Sequence, residues 1–367
     1  RRQLLTTVLP VALLPLVIGG LSSAGITYWR SAQQATLRLK NEVVLASQVT
    51  SKQLKDKLQI TELLATNPVI LEAAQAGSQQ AEAEGLQRLS IDQAEQKFAA
   101  TRLLKPNATL NSYLSRIGQK AGLPELFFTE RHGFNVATSH STSDFVQRDE
   151  DWWQRGKNQG QWLSNPALDK SSNTFSVDLV QAITDPSSGE FLGVIKGVFD
   201  TNELGVTLGD ELEHVGLAEG SSEQVQIIDL SSGSIVSTIT AQGLNSTQEL
   251  LGGSEVLERA KRLEADLKAK NIDPEKFIAT RDDLETLTTS FLHQGRRYTL
   301  AKIPTVNWAV VASIDVGEMR ATGNEQALFF VAVLLLLGAI ATPIILFLAR
   351  RLSTPLKDLA DTADQVA

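Results

Sequence analysis

Residues 174–199, TFSVDLVQAITDPSSGEFLGVIKGVF, carry the clearest fold signal in the chain. Two runs rich in β-branched and aromatic residues flank TDPSSGE, in which Asp-Pro and Gly are turn formers. This pattern predicts a β-hairpin. Upstream, LFFTE and FNVATS flank Arg131-His132-Gly133, which predicts a second hairpin. The middle of the chain is therefore expected to form antiparallel strands.

A further group of strands is predicted downstream. VQIIDLSSGSIVSTI has the pattern of a hairpin with Ser-Gly at its tip, and a charged helix is predicted from about Ser254 to Lys270. Three more strands are then predicted at LTTSFL, RRYTLAKI and WAVVASID. Strands that follow a helix, twice over, predict an α+β fold with two modules in series.

Helices are predicted before the first hairpin. The segment 31–66 contains no Gly or Pro, so a long helix is expected there. Asn67-Pro68 should end it, because a residue before proline avoids helical geometry. A short helix is then predicted to end at Gly77, and an amphipathic helix to end at Gly122.

Composition excludes several classes of function. The 367 residues include no cysteine, so disulfides and Cys-ligated metals are excluded, and the net charge of −8 argues against nucleic acid as a partner. The four histidines are scattered without ligand spacing, so no metal or other cofactor is expected. No catalytic triad or nucleophile elbow is present. This segment is therefore not expected to be an enzyme.

Two uncharged runs, residues 4–29 and 327–349, are each longer than the about 20 apolar residues that cross a bilayer. An arginine pair precedes the first run, at 1–2, and another follows the second run, at 350–351. Short basic flanks of this kind stay in the cytoplasm. We therefore expect two transmembrane helices, cytoplasmic termini and an external domain at 30–326. A cleaved signal peptide is the alternative for the first run.

The order of these features resembles a double Cache sensor, the extracytoplasmic module of many bacterial chemoreceptors and sensor kinases. The resemblance covers nearly the whole chain and implies two PAS-like (Cache) modules in series behind a stalk helix at 31–66. The membrane-distal module would span about 67–205 and the membrane-proximal module about 206–318. Residues 1–3 would form a cytoplasmic stub at the plasma membrane, with the sensor in the periplasm.

The end of the chain, LSTPLKDLADTADQVA, has helical heptad spacing. Its apolar residues step by four, three, four and three: Leu352, Leu356, Leu359, Ala363 and Val366. Heptad spacing of this kind favours a parallel homodimer. With Pro355 just inside the membrane, residues 350–367 resemble the first helix of a HAMP linker. An ordinary juxtamembrane helix is the alternative.

The candidate ligand-binding residues lie in the segment 138–172 between the first two hairpins, which is polar and aromatic and is predicted to be a loop. They are Phe145, Arg148, Glu150, Trp152, Trp153 and Asp169. Double Cache domains that bind amino acids carry an aromatic residue, an arginine five positions later, and then Trp and another aromatic residue.

Here Glu150 stands where the family's arginine would hold a ligand carboxylate, and a carboxylate cannot replace a guanidinium in that role. Arg148 could supply the missing charge, or Glu150 could face a cationic ligand with cation–π contacts from the two tryptophans. Asp169 lies near the family's acidic residue for a ligand amine. The alternatives are that the tryptophans pack the sheet edge and that Asp169 is a solvated loop residue.

The resemblance implies a methyl-accepting chemoreceptor that senses an extracytoplasmic small molecule. Such a receptor signals through its HAMP helix to a cytoplasmic adaptor and a histidine kinase. The segment DEDWWQ and the Gln- and Ala-rich helices are similar to cyanobacterial receptors for pilus-based motility and phototaxis. The alternative is the sensor region of a membrane histidine kinase or diguanylate cyclase, and the residues after Ala367 would distinguish these outputs.

Overall fold

The computed structural model describes residues 2–169, 174–215, 221–245, 249–276, 281–319, 328–344, 347 and 351. The chain divides into two compact units. One comprises Leu39–Gln294 and Tyr298–Ser313, and the other comprises Arg1–Arg38, Gly295–Arg297 and Ile314–Ala367. Both β-sheets have most of their residues in the first of these units.

Four helices precede the first sheet: α1 (Arg2–Ala65), α2 (Pro68–Ala83), α3 (Ile91–Phe98) and α4 (Ala108–Ala121). The first sheet contains β1 (Glu125–Glu130), β2 (Asn135–Thr138), β3 (Gln161–Leu163), β4 (Ala167–Asp169), β5 (Thr174–Thr184) and β6 (Phe191–Asp200). Helix α5 (Asp151–Gln159) lies between β2 and β3 in sequence.

Helix α6 (Thr201–Val215) leads to the second sheet. That sheet contains β7 (Gln224–Asp229), β8 (Ile235–Thr240), β9 (Gly243–Asn245), β10 (Thr288–His293), β11 (Arg296–Lys302) and β12 (Trp308–Asp315). Helices α7 (Gly253–Ala269) and α8 (Arg281–Leu287) lie between β9 and β10 in sequence, and short 3-10 turns occupy Leu86–Arg88 and Pro274–Lys276.

Each sheet has six strands. The order is β2-β1-β6-β5-β3 in the first, with β4 also paired to β5, and β10-β11-β12-β7-β8-β9 in the second. Every pairing whose register is described is antiparallel. The predicted α+β class is confirmed, and the hairpins predicted around TDPSSGE, Arg131-His132-Gly133 and Ser-Gly form as β5–β6, β1–β2 and β7–β8.

Local chemistry explains two of the predicted helix ends. The Asn67 side chain accepts from the backbone N–H of Val69 at 2.9 Å, and proline occupies the first turn of α2, so the break at Asn67-Pro68 is confirmed. Gly122 ends α4 in the left-handed region with φ 62°. That conformation costs glycine little, which is why it ends helices so often.

The predicted helix end at Gly77 is wrong, because α2 continues to Ala83. Gly77 is buried, and a Cβ there would lie 3.0 Å from Cγ2 of Val136 on β2. The glycine therefore lets α2 pack closely on the first sheet and does not terminate the helix. Its role depends on the tertiary neighbour, which the local sequence does not reveal.

The segment 138–172 was expected to be a loop, and this prediction is wrong in part, because the segment contains α5, β3 and β4. Most of α5 is polar, and only Trp152, Trp153 and Gly156 are buried. Helix α6 has no counterpart among the predicted elements, although Leu204, Leu208 and Leu212 recur every four residues and are fully buried. Two glycines within α6 weaken its helix propensity.

Helix α1 contacts elements of both sheets through its second half. The ammonium of Lys57 lies 2.9 Å from the Glu203 carboxylate on α6 and 5.1 Å from the ring centroid of Phe199 on β6. Nearer the second sheet, Ser47 Oγ donates to the Lys302 carbonyl at 2.8 Å. The same helix therefore holds both sheets by polar contacts.

Within the part of the chain that the structure describes, no helix is long and apolar enough to cross a membrane. Residues 328–344 are helical. Most side chains of the predicted first span lie outside the described residues, and so does the predicted linker helix at 350–367 apart from Arg351.

Candidate functional site

One face of the first sheet carries aromatic and charged side chains under α5. The strand register places Phe127 opposite Lys196 and Val180 opposite the same lysine, so the three side chains share this face. Phe127, Val180 and Val194 form a buried apolar cluster with the two tryptophans of α5. We call this the α5 face.

Gly156 sets the distance between α5 and the sheet. A Cβ at this position would lie 2.6 Å from Cγ1 of Val180 and 2.7 Å from Cγ1 of Val194, closer than real Cβ atoms approach other carbon atoms. The absence of a side chain lets the helix lie directly on the strands. This approach brings both tryptophans into the apolar cluster.

The two tryptophans differ in what surrounds them. Trp153 is 2% exposed, and its indole Nε1 donates to Thr129 Oγ1 at 2.8 Å, so its polar atom is satisfied within the core. Trp152 meets Phe127 edge to face at 5.5 Å between ring centroids. Its ring also lies 5.2 Å from the ammonium of Lys196, a cation–π distance.

Lys196 and Asp178 form an ion pair on the α5 face. Lys196 Nζ lies 3.1 Å from Asp178 Oδ1, and the two side chains are only 15% and 24% exposed. Sequence reasoning missed both residues. The available signal was one lysine in the otherwise apolar strand FLGVIKGVF and one aspartate in TFSVDLVQAI.

Glu150 stands at the N-terminal end of α5, beside this pair. Partial burial is the main reason that its pKa is raised, and the neighbouring carboxylate of Asp149 adds to the effect. Lys196 opposes the shift, whereas Asp144 and Asp178 contribute to it. The surroundings of Glu150 therefore hold more negative than positive charge, which disfavours a further carboxylate.

Phe145 and Arg148 belong to a different cluster. Phe145 is fully buried and stacks on Phe98 at 4.3 Å and on Phe134 at 5.2 Å. The guanidinium of Arg148 lies 5.0 Å from the Phe134 ring, and Nη2 donates to the Leu89 carbonyl at 3.1 Å. The structure thus brings Glu150 and Trp152 to the ion pair and places Phe145 and Arg148 against α3 and the β1–β2 turn.

Asp169 ends β4, where its backbone pairs with Thr174 on β5. Its side chain lies outside the described residues. In the described part of the α5 face, the carboxylate that meets the lysine comes from Asp178, nine positions further along the chain. The ligand-binding role of the six candidates stays a prediction.

No protein-family model matches the chain, and no curated protein matches it either. The chain is similar to the ligand-binding domain of Campylobacter jejuni chemoreceptor Tlp3 in complex with 4-methylisoleucine. That similarity has 11% identity, 80% coverage of this chain and 94% of the other, and a TM-score of 0.47.

It is also similar to the ligand-binding domain of the Pseudomonas aeruginosa amino acid chemoreceptor PctC in complex with GABA, at 12% identity, 76% and 97% coverage and a TM-score of 0.41. The sensor domain of the V. cholerae histidine kinase DctB gives 15% identity, 78% and 98% coverage and a TM-score of 0.42. At these identities and TM-scores, the likenesses do not establish a shared function.

Proposed function

We propose that this chain is the sensing part of a transmembrane receptor and that it binds a small molecule carrying a positively charged amine on the α5 face. The observation that carries the proposal is the Lys196–Asp178 pair, which lies largely buried beside the ring of Trp152. A few polar groups set among apolar and aromatic side chains are typical of small-molecule sites.

The charge around this pair favours a cation as the ligand. Asp149, Asp144 and Asp178 all add negative charge around Glu150, and Lys196 is the cation that opposes them in shifting the pKa of Glu150. An incoming ammonium would compete with Lys196 for the Asp178 carboxylate and would meet the face of Trp152. A ligand carboxylate would meet Lys196 alone.

Membrane anchoring is part of the same proposal, with spans at 4–29 and 327–349, the sensor in the periplasm and both termini in the cytoplasm. Apolar side chains in the second of these segments support it. Leu328, Leu335 and Leu336 are 69%, 70% and 62% exposed. Exposed leucines on one helix favour contact with an apolar environment such as lipid.

We propose that α1 carries the response. Its contacts from Lys57 to α6 and from Ser47 to β11 would let a change at the α5 face reach the membrane along one helix. Binding would act by stabilising one arrangement of a homodimer over another. The HAMP linker, the adaptor and the histidine kinase belong to this proposal, as do a methyl-accepting output and a role in pilus-based motility. No catalytic role is assigned to the chain.

Thermal unfolding of the full chain in detergent micelles tests the sensor proposal. Choline is the probe, and 3,3-dimethyl-1-butanol is its neutral isostere. We expect choline, and not the isostere, to raise Tm in a saturable way, because a ligand of the folded state stabilises it by mass action.

Two variants separate the charges of the site. Asp178→Asn should weaken choline binding roughly tenfold or more, because it removes the carboxylate charge that attracts the trimethylammonium group. Lys196→Met removes the competing cation and should not weaken it. Asp185→Asn, at an exposed turn aspartate, is the matched control. Unchanged choline affinity in Asp178→Asn would refute the assignment of the site.

A further inference from the structure

A cavity of about 600 Å³ lies at one end of the second sheet, away from the α5 face. It is open to solvent and is bordered by the C-terminal half of α7, the segment that follows α7 and the turn between β11 and β12. Leu267, Ile272 and Val306 give it apolar walls, and Lys302 reaches it from the end of β11. A volume of this size suits a small organic molecule.

Lys302 supplies an ammonium that has no salt-bridge partner among the described residues. It donates to the carbonyl of Ile303 at 2.8 Å and to the carbonyl of Val306. An ammonium has three donors, so one remains for another partner. Among the described residues, no carboxylate forms an ion pair with it. Burial lowers the pKa of Lys302 to about 8, with Glu264 opposing the shift and Lys268 adding to it.

The carboxylates that line the same cavity already have partners. Glu264 lies 2.9 Å from the Lys268 ammonium. The amide of Asn307, oriented with its nitrogen toward Glu264, donates to Oε1 at 2.9 Å and to Oε2 at 3.1 Å. Asp273 lies 3.4 Å from Lys276. The unmatched charge that faces the cavity is therefore positive.

We propose that this cavity is a second ligand site and that it takes a small aliphatic monocarboxylate. The carboxylate would accept the third donor of Lys302, and the hydrocarbon part would lie against Leu267, Ile272 and Val306. A second carboxylate would be disfavoured, because Glu264 and Asp273 line the same cavity. The inference does not depend on the α5 face, so either site can exist without the other.

The cavity borders a turn that α1 holds. Ser47 of α1 donates to the Lys302 carbonyl at 2.8 Å, and Ser51 hydrogen-bonds Thr305 and donates to Glu275 at 3.2 Å. A carboxylate bound to the Lys302 ammonium would therefore contact a residue that is itself hydrogen-bonded to α1. The second site would act on the same helix as the first.

Thermal unfolding of the full chain in detergent micelles at pH 7 tests this inference, with sodium butyrate as the probe. Butyramide and n-butylamine are the neutral and cationic analogues, and sodium chloride matches the ionic strength. We expect a saturable rise in Tm with butyrate alone. The apparent dissociation constant should rise roughly tenfold from pH 7 to pH 9, because Lys302 with a pKa of about 8 loses its charge over that interval.

Two variants locate the binding. Lys302→Met should abolish the response to butyrate, and Ile272→Trp should do so by filling the cavity while it leaves Lys302 in place. Ile272→Trp decides the question if Lys302→Met fails to fold. The double variant Lys196→Met/Asp178→Leu, which alters the α5 face, should respond as the unaltered chain does. An equal response to butyramide, or a response kept by folded Ile272→Trp, would overturn the proposal.

Discussion

In the first sheet a partly buried lysine and aspartate form an ion pair on the α5 face, whereas in the second sheet a fully buried amide has several hydrogen-bond partners. Gln226 on β7 is fully buried and donates to Thr238 Oγ1 at 3.1 Å and to the Glu249 carbonyl at 3.0 Å. Its oxygen accepts from the Leu251 N–H at 3.0 Å. A competing charge can thus replace one member of the ion pair, whereas both polar atoms of the Gln226 amide already have partners within the protein.

Helices α5 and α7 also differ in how they pack. Helix α5 lies so close to the first sheet that Gly156 has no room for a Cβ. Helix α7 buries an ordinary apolar stripe: Val256, Ala260, Leu263 and Leu267. Beyond its C-terminal half lies the cavity that Lys302 lines. In the first sheet a closely packed helix therefore covers the side of the ion pair, whereas in the second sheet a cavity lies beside the end of the helix.

The largest expected effect on stability comes from removing one partner of the Lys196–Asp178 ion pair. Lys196→Met leaves the Asp178 carboxylate partly buried without its ammonium, and we expect the free energy of unfolding to fall by about 2 kcal/mol. The double variant Lys196→Met/Asp178→Leu should recover most of this loss, because an apolar pair of similar volume needs no compensation. Urea denaturation of the full chain measures both values.

The second sheet supplies the comparison for that experiment. Gln226→Leu should also destabilise the chain, but adding Thr238→Val should not restore it. The Glu249 carbonyl and the Leu251 N–H would still lack their partner. Equal recovery by the two double variants would show that the sheets do not differ in the way described.

Helix packing gives the next effect in size. Gly156→Ala places a methyl group against two valines and should lower the free energy of unfolding by about 1–2 kcal/mol, the scale of overpacking. The matched control is Gly209→Ala in α6, where nothing lies within 4 Å of the added Cβ. That variant should gain up to about 1 kcal/mol from helix propensity. The same sign for both variants, measured by urea denaturation, would contradict the close approach of α5.

The parts of the fold that follow from local chemistry were predictable from the sequence. The Asn67-Pro68 break and the turn of TDPSSGE depend on hydrogen bonds between residues at most five positions apart. Helix α5 was not predictable in this way. Its apolar content is limited to two adjacent tryptophans, and the Gly that lets it pack does so only against Val180 and Val194.

The candidate site was predictable in part for a related reason. The sequence led to Glu150 and Trp152 through a family pattern. Asp178 and Lys196 meet only because the register of β5 and β6 places them diagonally on one face, with Val180 opposite Lys196. A lone charge in each of two paired apolar strands was the usable signal. The Lys302 cavity needed tertiary structure, since its walls come from segments about 30 residues apart.

The smallest expected effect comes from the hairpin turns, where both sheets place a buried carboxylate at the end of a strand. Glu130 accepts from the N–H groups of His132 at 2.9 Å and Phe134 at 3.1 Å, and Asp229 accepts from Ser232 at 2.9 Å. Burial raises the pKa of Glu130, and the two backbone donors only partly oppose it. Both turns therefore use a carboxylate to accept backbone N–H groups, and burial makes the ionisation of Glu130 costly.

A carboxyl group whose pKa is raised by folding lowers stability as the pH rises from its unfolded value, about 4.3 for Glu, through its folded value. Glu130→Gln keeps an acceptor for both N–H groups and removes that penalty. The free energy of unfolding of this variant, relative to that of the unaltered chain, should therefore rise between pH 4 and pH 7. The expected rise is up to about 1 kcal/mol, the scale of one hydrogen bond.

Asp185 in the β5–β6 turn provides a control of opposite sign. The backbone N–H groups of Ser188 and Ser187 lower the pKa of this exposed carboxyl. Its contribution is present above the unfolded pKa and is lost as the pH falls. The free energy of unfolding of Asp185→Asn should therefore fall relative to that of the unaltered chain as the pH rises from about 2.5 to 4.5, around the unfolded pKa of Asp, whereas that of Glu130→Gln should rise between pH 4 and pH 7. Urea denaturation at about pH 2.5, 4, 5.5 and 7 measures both slopes. If the stability differences of both variants changed with pH in the same direction, the difference in burial between Glu130 and Asp185 would not determine how the two carboxylates contribute to stability.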